Sequence, residues 1–146
     1  MEVFTDEYFM AKALELALQA YDEGEVPIGA LVVHENKIIG KGYNQTERLQ
    51  DVTAHAEMLA VTAASNAVNG KYLDQCTLYV TIEPCLMCAG AIQWARLGKV
   101  VWGASEPKFG FSRLDAQLLG KTETVGGIMA DQCGDVMKRF FKSRRK

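Results

Sequence analysis

A strand, a helix and a second strand follow one another between residues 77 and 102, and this succession constrains the fold more than any other part of the chain. Residues 77–82 are β-branched and apolar, Pro84 ends this strand, 86–96 has a helical pattern, and 100–102 is again a strand. Strands separated by a helix lie parallel in one sheet, joined by a right-handed crossover. We therefore expect a sheet with parallel strands, covered by helices.

The other segments predict further elements around this sheet. Thr5 starts a helix over 6–23 that Gly24 ends, and Thr53 starts a second helix over 53–69. The remaining predicted elements are a hairpin of strands 27–33 and 37–43, a short helix at 114–119, a strand near 122–125 and an amphipathic helix over 130–144. No repeat or linker divides the 146 residues. The prediction is one α/β domain over 1–146, with a mixed five-stranded sheet sandwiched between helices.

Charge and cysteine usage exclude several classes of protein. No apolar run approaches the roughly 20 residues of a membrane span, and the N-terminus lacks a signal sequence, which predicts a cytoplasmic protein without a membrane partner. Four cysteines in such a chain argue against a disulfide framework. Residues 138–146 hold six of the 16 basic residues and none of the 18 acidic ones. Such an end is either a solvated tail or a patch that contacts phosphates.

The strongest chemical signal is His55-Ala56-Glu57, followed by the pair Cys85 and Cys88. A Cys-x-x-Cys pair alone fits a redox pair, half of a structural zinc site, or chance. A structural zinc ribbon needs a second close pair, and the other histidine, His34, lies in the predicted hairpin turn. His55, Cys85 and Cys88 make three ligands, which leaves zinc one position for water, as in catalytic sites. The prediction is one Zn²⁺ per subunit.

Helix starts explain how these side chains can meet. Residues two apart in the middle of a helix point about 200° away from each other. The side chains of His55 and Glu57 can therefore reach the same metal site only if that site lies beyond the N-terminus of their helix. The cysteines fall in the first turn of the next helix and lie on one face. Two helix N-termini would then meet at the metal, where their positive ends stabilise thiolates.

Glu57 is the predicted catalytic residue. A zinc ion with two thiolates and a neutral imidazole carries no net charge, so it acidifies water less than a three-histidine site does and needs a nearby base. Glu57 can take that proton and return it to a leaving group. The alternative, a carboxylate that merely complements the helix dipole, is disfavoured beside these ligands. Glu83 is interpreted as a strand-end carboxylate that holds a loop, rather than as a second catalyst.

The sequence resembles the bacterial tRNA-specific adenosine deaminase family along nearly its whole length. The H-x-E and P-C-x-x-C motifs are the signature of zinc nucleobase deaminases. The residues that carry the resemblance are 24–30, 43–44, 53–58, 77–91, and Phe140-Phe141 with the basic ending. The resemblance implies the cytidine deaminase-like three-layer α/β/α fold and a homodimer. It also implies hydrolysis of adenosine to inosine at the wobble position of a tRNA anticodon loop.

The same resemblance implies substrate contacts in the first half of the chain. Asn44 would hydrogen-bond the target nucleoside, and the Ala56 backbone N–H would contact the base. Val26 and Ile28 would wall the base pocket. An Asn that closes a strand is otherwise usually a turn former.

In the second half, Glu106 and Lys108 belong to a loop that touches the anticodon in the family, and Glu106 stands where the family commonly has Asp. Phe109 either stacks on splayed bases or packs its loop down. Three basic residues lie along one side of the last helix and are candidate RNA contacts: Lys138, Lys142 and Arg145.

Two other functions compete with tRNA deamination. An enzyme of the same fold that deaminates a free nucleobase or nucleoside, such as guanine or cytosine, shares the zinc chemistry. In such an enzyme the basic C-terminal residues would have no substrate contact, because a free nucleobase has no phosphate. A non-catalytic zinc-stabilised or RNA-binding module is the third possibility, and Glu57 argues against it because a structural site has no use for that carboxylate.

Overall fold

In residues 3–144, the part of the chain that the computed structural model describes, five helices surround a five-stranded sheet. Along the chain the elements are α1 (Asp6–Asp22), β1 (Gly29–His34), β2 (Lys37–Tyr43), α2 (Ala56–Val68), β3 (Thr77–Ile82), α3 (Leu86–Ala95), β4 (Lys99–Ala104), α4 (Phe111–Leu114), β5 (Glu123–Val125) and α5 (Ala130–Arg144).

The sheet is mixed, with the strand order β2-β1-β3-β4-β5. Strand β1 pairs antiparallel with β2, its hairpin partner, and with β3. Strand β4 runs parallel to both β3 and β5, and α3 makes the crossover from β3 to β4. The predicted hairpin and the predicted strand–helix–strand unit are therefore confirmed.

Helices cover both faces of the sheet, because successive side chains of a strand point to opposite sides. Ala30 and Val32 of β1 join a core with α2 and α3. Leu31 and Val33 of the same strand join a second core with α1 and α5. This is the predicted three-layer α/β/α sandwich. None of the helices in residues 3–144 has the length and apolar character needed to cross a membrane.

Helix α2 begins at Ala56 and not at Thr53, so the predicted cap is wrong. The backbone N–H and hydroxyl of Thr53 both donate to Asp51 Oδ1, at 2.8 and 2.7 Å. This local turn uses the hydrogen-bond donors that Thr53 would need to begin the helix, so α2 begins further along the chain. His55 takes the N-cap position instead, with extended backbone angles.

The prediction of a short helix at 114–119 is also wrong, because the helical turn lies earlier, in α4. Phe111 is buried, and its N–H donates to the carbonyl of Pro84 at 2.9 Å, which places the turn against the end of β3. Asp115 then has extended angles and ends the helix. A long-range contact therefore decides where this turn forms.

A glycine in β2 positions the start of α2. A Cβ on Gly42 would lie 2.6 Å from the Ala56 carbonyl oxygen and 2.8 Å from Leu59 Cβ, closer than side-chain carbons approach other atoms. Only glycine therefore lets the first turn of α2 rest directly on the strand. His55 and Glu57 lie in this part of the chain.

Candidate active site

Helices α2 and α3 begin next to each other, as the sequence predicted. His55 is the N-cap residue of α2, Cys85 is the N-cap residue of α3, and Cys88 lies in the first turn of α3. Neither N-cap side chain makes a capping hydrogen bond to its own helix. The imidazole and the thiol groups instead face one another between the two helix starts.

These three side chains fit a zinc ion. His55 Nδ1 lies 3.6 Å from Cys85 Sγ and 3.5 Å from Cys88 Sγ, and all three donor atoms lie within 4.8 Å of one another. Tetrahedral zinc with ordinary Zn–N and Zn–S bonds requires N···S distances of roughly 3.6 Å. The donors are therefore already spaced for the metal, and their soft sulfur and imidazole character selects zinc over calcium or magnesium.

The thiols are electrostatically coupled. A hydrogen bond from Cys88 and the nearby His55 lower the pKa of Cys85 to about 4, although burial opposes this shift. The same hydrogen bond, together with burial, raises the pKa of Cys88. Zinc binds thiolates, so metal binding releases the protons that the two sulfurs hold.

Glu57 lies beside the metal-binding residues in the first turn of α2, and only 4% of its surface is exposed. Burial raises the pKa of its carboxyl group to about 7. A carboxyl group with such a pKa can both accept and release a proton near neutral pH. Glu57 lines the same cavity as His55 and Cys85, so the side chain is open to a substrate.

A large open cavity of about 1340 Å³ leads to these residues. It is lined by the segment before β1, by the loop after β4 and by one side of α5. Seven residues predicted to contact substrate lie in its wall: Val26, Ile28, Glu106, Lys108, Phe109, Lys138 and Lys142. The structure thus brings most of the predicted contacts into one cleft, while their individual roles stay predictions.

Three other predicted contacts are placed differently. Asn44 is buried and does not line the cavity, and its Oδ1 accepts from the Thr46 N–H at 3.4 Å. Ala56 is buried as the first residue of α2, so its backbone N–H has no partner within the helix and remains able to donate. Arg145 lies outside the described residues.

The structure adds acidic residues that the sequence analysis missed. Asp131 and Asp135 line the cavity from the same side of α5 as Lys138 and Lys142. The four charged residues of α5 are separated by four, three and four positions, which places them on one side of a helix. This spacing is the sequence signal that could have identified the two aspartates. Glu83 holds a loop, as interpreted from the sequence, because its carboxylate accepts hydrogen bonds from Glu106 after β4 and from Ser112 in α4.

Comparison with known proteins decides the family. The family model of the cytidine and deoxycytidylate deaminase zinc-binding region matches residues 4–104. A tRNA-specific adenosine deaminase of Aquifex aeolicus is 42% identical over 144 residues, which cover 95% of each chain. The chain belongs to the tRNA-specific adenosine deaminase family. It is a zinc-dependent deaminase, with His55, Cys85 and Cys88 as the residues that fit the metal.

Solved structures agree with the family assignment. One, from a study of A-to-I editing by tRNA:A34 deaminases at the wobble position, has a TM-score of 0.83 and 35% identity, covering 88% of this chain and 98% of that one. A guanine deaminase from Bacillus subtilis has a TM-score of 0.68 and 36% identity, covering 78% of this chain and 74% of that one. The cytidine deaminase-like fold is therefore shared by deaminases of RNA and of free bases.

Proposed function

We propose that this enzyme hydrolyses adenosine to inosine at the wobble position of a tRNA anticodon, in the cytoplasm. The observation that carries the proposal is the composition of the cleft. His55, Cys85 and Glu57 line a cavity of about 1340 Å³, and so do three exposed lysines, Lys108, Lys138 and Lys142. Lysines at such a site provide contacts for the phosphates of a nucleic acid.

The size of this cleft and its exposed basic and aromatic side chains favour a macromolecular substrate over a free nucleobase. Sites for small molecules usually enclose about 300–1,000 Å³. This cavity is larger and open, and Phe109 and Phe141, 66% and 42% exposed, line it. Unstacked RNA bases stack on exposed aromatic side chains of this kind. A free guanine or cytosine would use neither the lysines nor these rings.

The chain's own residues supply the remaining chemistry. Zinc, when bound by His55, Cys85 and Cys88, supplies Lewis-acid activation of water. Glu57 accepts a proton from the water that adds to C6 of adenine and donates it to N6, which leaves as ammonia while inosine forms. Val26 and Ile28 line the cavity as apolar walls for the base.

The test of this proposal compares four substrates. Purified zinc enzyme is incubated separately with anticodon stem-loops that carry A34, with adenosine, with cytidine and with guanine. Inosine, uridine and xanthine are then measured by mass spectrometry. We expect inosine at position 34 of a stem-loop and little conversion of the free compounds. Conversion of guanine to xanthine without any inosine in the stem-loops would establish the free-base alternative.

The lysines of α5 give the first prediction. Both line the cavity, so the Lys138→Ala, Lys142→Ala double variant is expected to bind the stem-loop more weakly. Each lost phosphate contact to a single strand removes about 0.7 from the slope of log affinity against log salt, so the slope should flatten by about 1.4. Fluorescence anisotropy over a salt series measures this change.

The matched control replaces two lysines of the edge strand β2. Lys37 and Lys41 are exposed and lie apart from the cavity wall. The Lys37→Ala, Lys41→Ala variant should keep the wild-type affinity and salt slope. If both double variants lose the same affinity, the basic residues of α5 act only through net charge.

We further propose that the enzyme is a homodimer that associates through the exposed side of α3. Met87 and Trp94 lie two turns apart on this helix, and they are 37% and 81% exposed. Leu86 beside them is 48% exposed. Large apolar side chains clustered on a surface mark interaction sites, and a patch shared by two copies can pair with itself about a two-fold axis.

The dimer proposal predicts a large effect of one surface substitution. Trp94→Glu should raise the dimer dissociation constant by about a hundredfold or more, because a central aromatic contact is lost from both copies. Sedimentation velocity over a concentration series measures this constant. Leu18→Glu is the control, since Leu18 is 42% exposed on α1, on the opposite side of the sheet. A wild-type monomer, or a dimeric Trp94→Glu variant, contradicts the proposed interface.

A further inference from the structure

A buried carboxylate connects the metal-binding segment with the loop that walls the cavity. Glu83 follows β3, lies two residues before Cys85, and is 5% exposed. Its Oε1 accepts from the Glu106 N–H at 3.2 Å. Its Oε2 accepts from the Ser112 N–H at 3.0 Å and from the Ser112 hydroxyl. Both oxygens are thus bonded to the segment 106–112, which we call the recognition loop.

The backbone of this loop lies directly against the carboxylate. A Cβ on Gly110 would come within 2.6 Å of the Glu83 carboxyl group. Gly110 also forms an isolated antiparallel bridge with Cys85. The end of β3, a metal-binding residue and the recognition loop therefore form one connected unit.

A second carboxylate extends the connection to the cavity. Glu106, whose N–H is held by Glu83, accepts through its own Oε1 from the Lys108 N–H at 2.8 Å and from the Phe109 N–H at 3.4 Å. Lys108 and Phe109 are exposed and line the cavity. Two carboxylates in series thus set the backbone positions of two residues that line the cavity.

We propose that Glu83 is a positioning residue, which acts through Glu106 to hold Lys108 and Phe109 in the geometry that binds RNA. This inference rests on the proposed function for the identity of the ligand. Glu83 has a binding role and not a proton-transfer role, because both of its oxygens already accept hydrogen bonds from the recognition loop. Loss of the anchor should lower the fraction of enzyme in the binding-competent form, which raises KM and leaves kcat nearly unchanged.

The chain contains a matched control for this arrangement. Glu25 is 1% exposed and also holds a loop, since its two oxygens accept from the Glu47 N–H at 3.1 Å and the Arg48 N–H at 2.8 Å. Each loop carries an exposed trypsin site, Lys108 in one and Arg48 in the other. The two carboxylates are therefore comparable in burial and bonding but hold different loops.

The experiment measures trypsin cleavage of the native zinc-loaded proteins Glu83→Gln and Glu25→Gln, with fragments identified by mass spectrometry. Glutamine keeps the shape but replaces one acceptor by a donor, so the hydrogen bonds to that atom are lost. We expect cleavage after Lys108 to accelerate about tenfold or more in Glu83→Gln, and cleavage after Arg48 to accelerate similarly in Glu25→Gln. Each variant should leave the other loop at its wild-type rate.

Kinetics on the anticodon stem-loop supply the second readout. Glu83→Gln should raise KM about tenfold, change kcat by less than about threefold, and retain one zinc per chain. If Glu83→Gln does not fold, Ser112→Ala replaces it, because that variant removes one of the three hydrogen bonds and should accelerate cleavage after Lys108 by about threefold.

Opposite outcomes overturn the proposal. Unchanged cleavage after Lys108, or equal acceleration at both sites in both variants, means that Glu83 does not anchor this loop specifically. A fall in kcat with unchanged KM means that Glu83 takes part in the chemistry. A wild-type enzyme that does not deaminate the stem-loop contradicts the proposed function, whereas the cleavage pattern still decides whether Glu83 holds the loop.

Discussion

The Glu57→Gln enzyme is expected to keep its zinc and its fold while losing about three orders of magnitude or more in deamination rate. Proton transfer by a positioned side chain usually contributes about 10² to 10⁴ in rate, and Glu57 is assigned two transfers, from the water and to the leaving amine. Glutamine has nearly the same shape but can make neither transfer. Single-turnover measurement of inosine formation on the stem-loop, with zinc content determined in parallel, tests this prediction.

The control for Glu57 is another carboxylate in the first turn of a helix. Glu7 lies in the first turn of α1 and is exposed, so it complements a helix dipole without facing the cavity. Glu7→Gln should retain the wild-type rate. If Glu57→Gln also retains it, then Glu57 serves only the helix dipole, and the assignment as the catalytic acid and base is wrong.

The second large effect is expected from His55→Ala, which removes the imidazole from the zinc-binding residues. Cys85 and Cys88 remain as two protein ligands, and loss of a direct ligand should weaken zinc binding by at least about a hundredfold. Deamination should fall by at least about 10³ at limiting zinc. Stability should also fall, since a metal that binds only the folded chain contributes its binding energy to folding.

The sequence contains its own control for this variant, because it has two histidines. His34 lies at the end of β1, where its Nδ1 is 3.3 Å from the Gln75 carbonyl oxygen, far along the chain from the zinc-binding residues. His34→Ala should retain stoichiometric zinc and activity. Metal analysis after gel filtration distinguishes the two variants. Stoichiometric zinc in purified His55→Ala would show that the imidazole is not a ligand.

Local sequence patterns predicted the elements that local interactions control. Thr5 caps α1 through its hydroxyl, which accepts from the Tyr8 N–H at 3.1 Å, as the sequence predicts. The strands, the hairpin and the α3 crossover were found because period-two patterns and turn residues act over a few positions. Two predicted helix starts, at Thr53 and at residue 114, were wrong. At Thr53 a local side-chain hydrogen bond outcompeted helix propensity, and in the second case a hydrogen bond to the distant carbonyl of Pro84 fixed the helical turn earlier in the chain.

The zinc-binding residues and Glu57 could be identified from the sequence because their residue types and spacing at two predicted helix starts fit a three-ligand zinc site. Two helix starts, each with its reactive residues in or beside the first turn, need only be placed next to each other, and the packing of α2 and α3 in one core on the sheet does that. The spacing of His55, Cys85 and Cys88 therefore predicted a catalytic zinc site, and the resemblance to the deaminase signature supplied the class of chemistry.

Only the tertiary structure decided how the cleft around this centre is built. The C-terminal helix α5 lines one side of the cavity, and Arg144 connects it to the segment before β1 by donating to the Gly24 carbonyl at 3.2 Å. Glu83 and Glu106 are ordinary carboxylates in the sequence and become the anchors of the recognition loop through partners up to 29 residues away. Such contacts depend on how the layers of the sandwich pack, and no periodicity within a single segment encodes them.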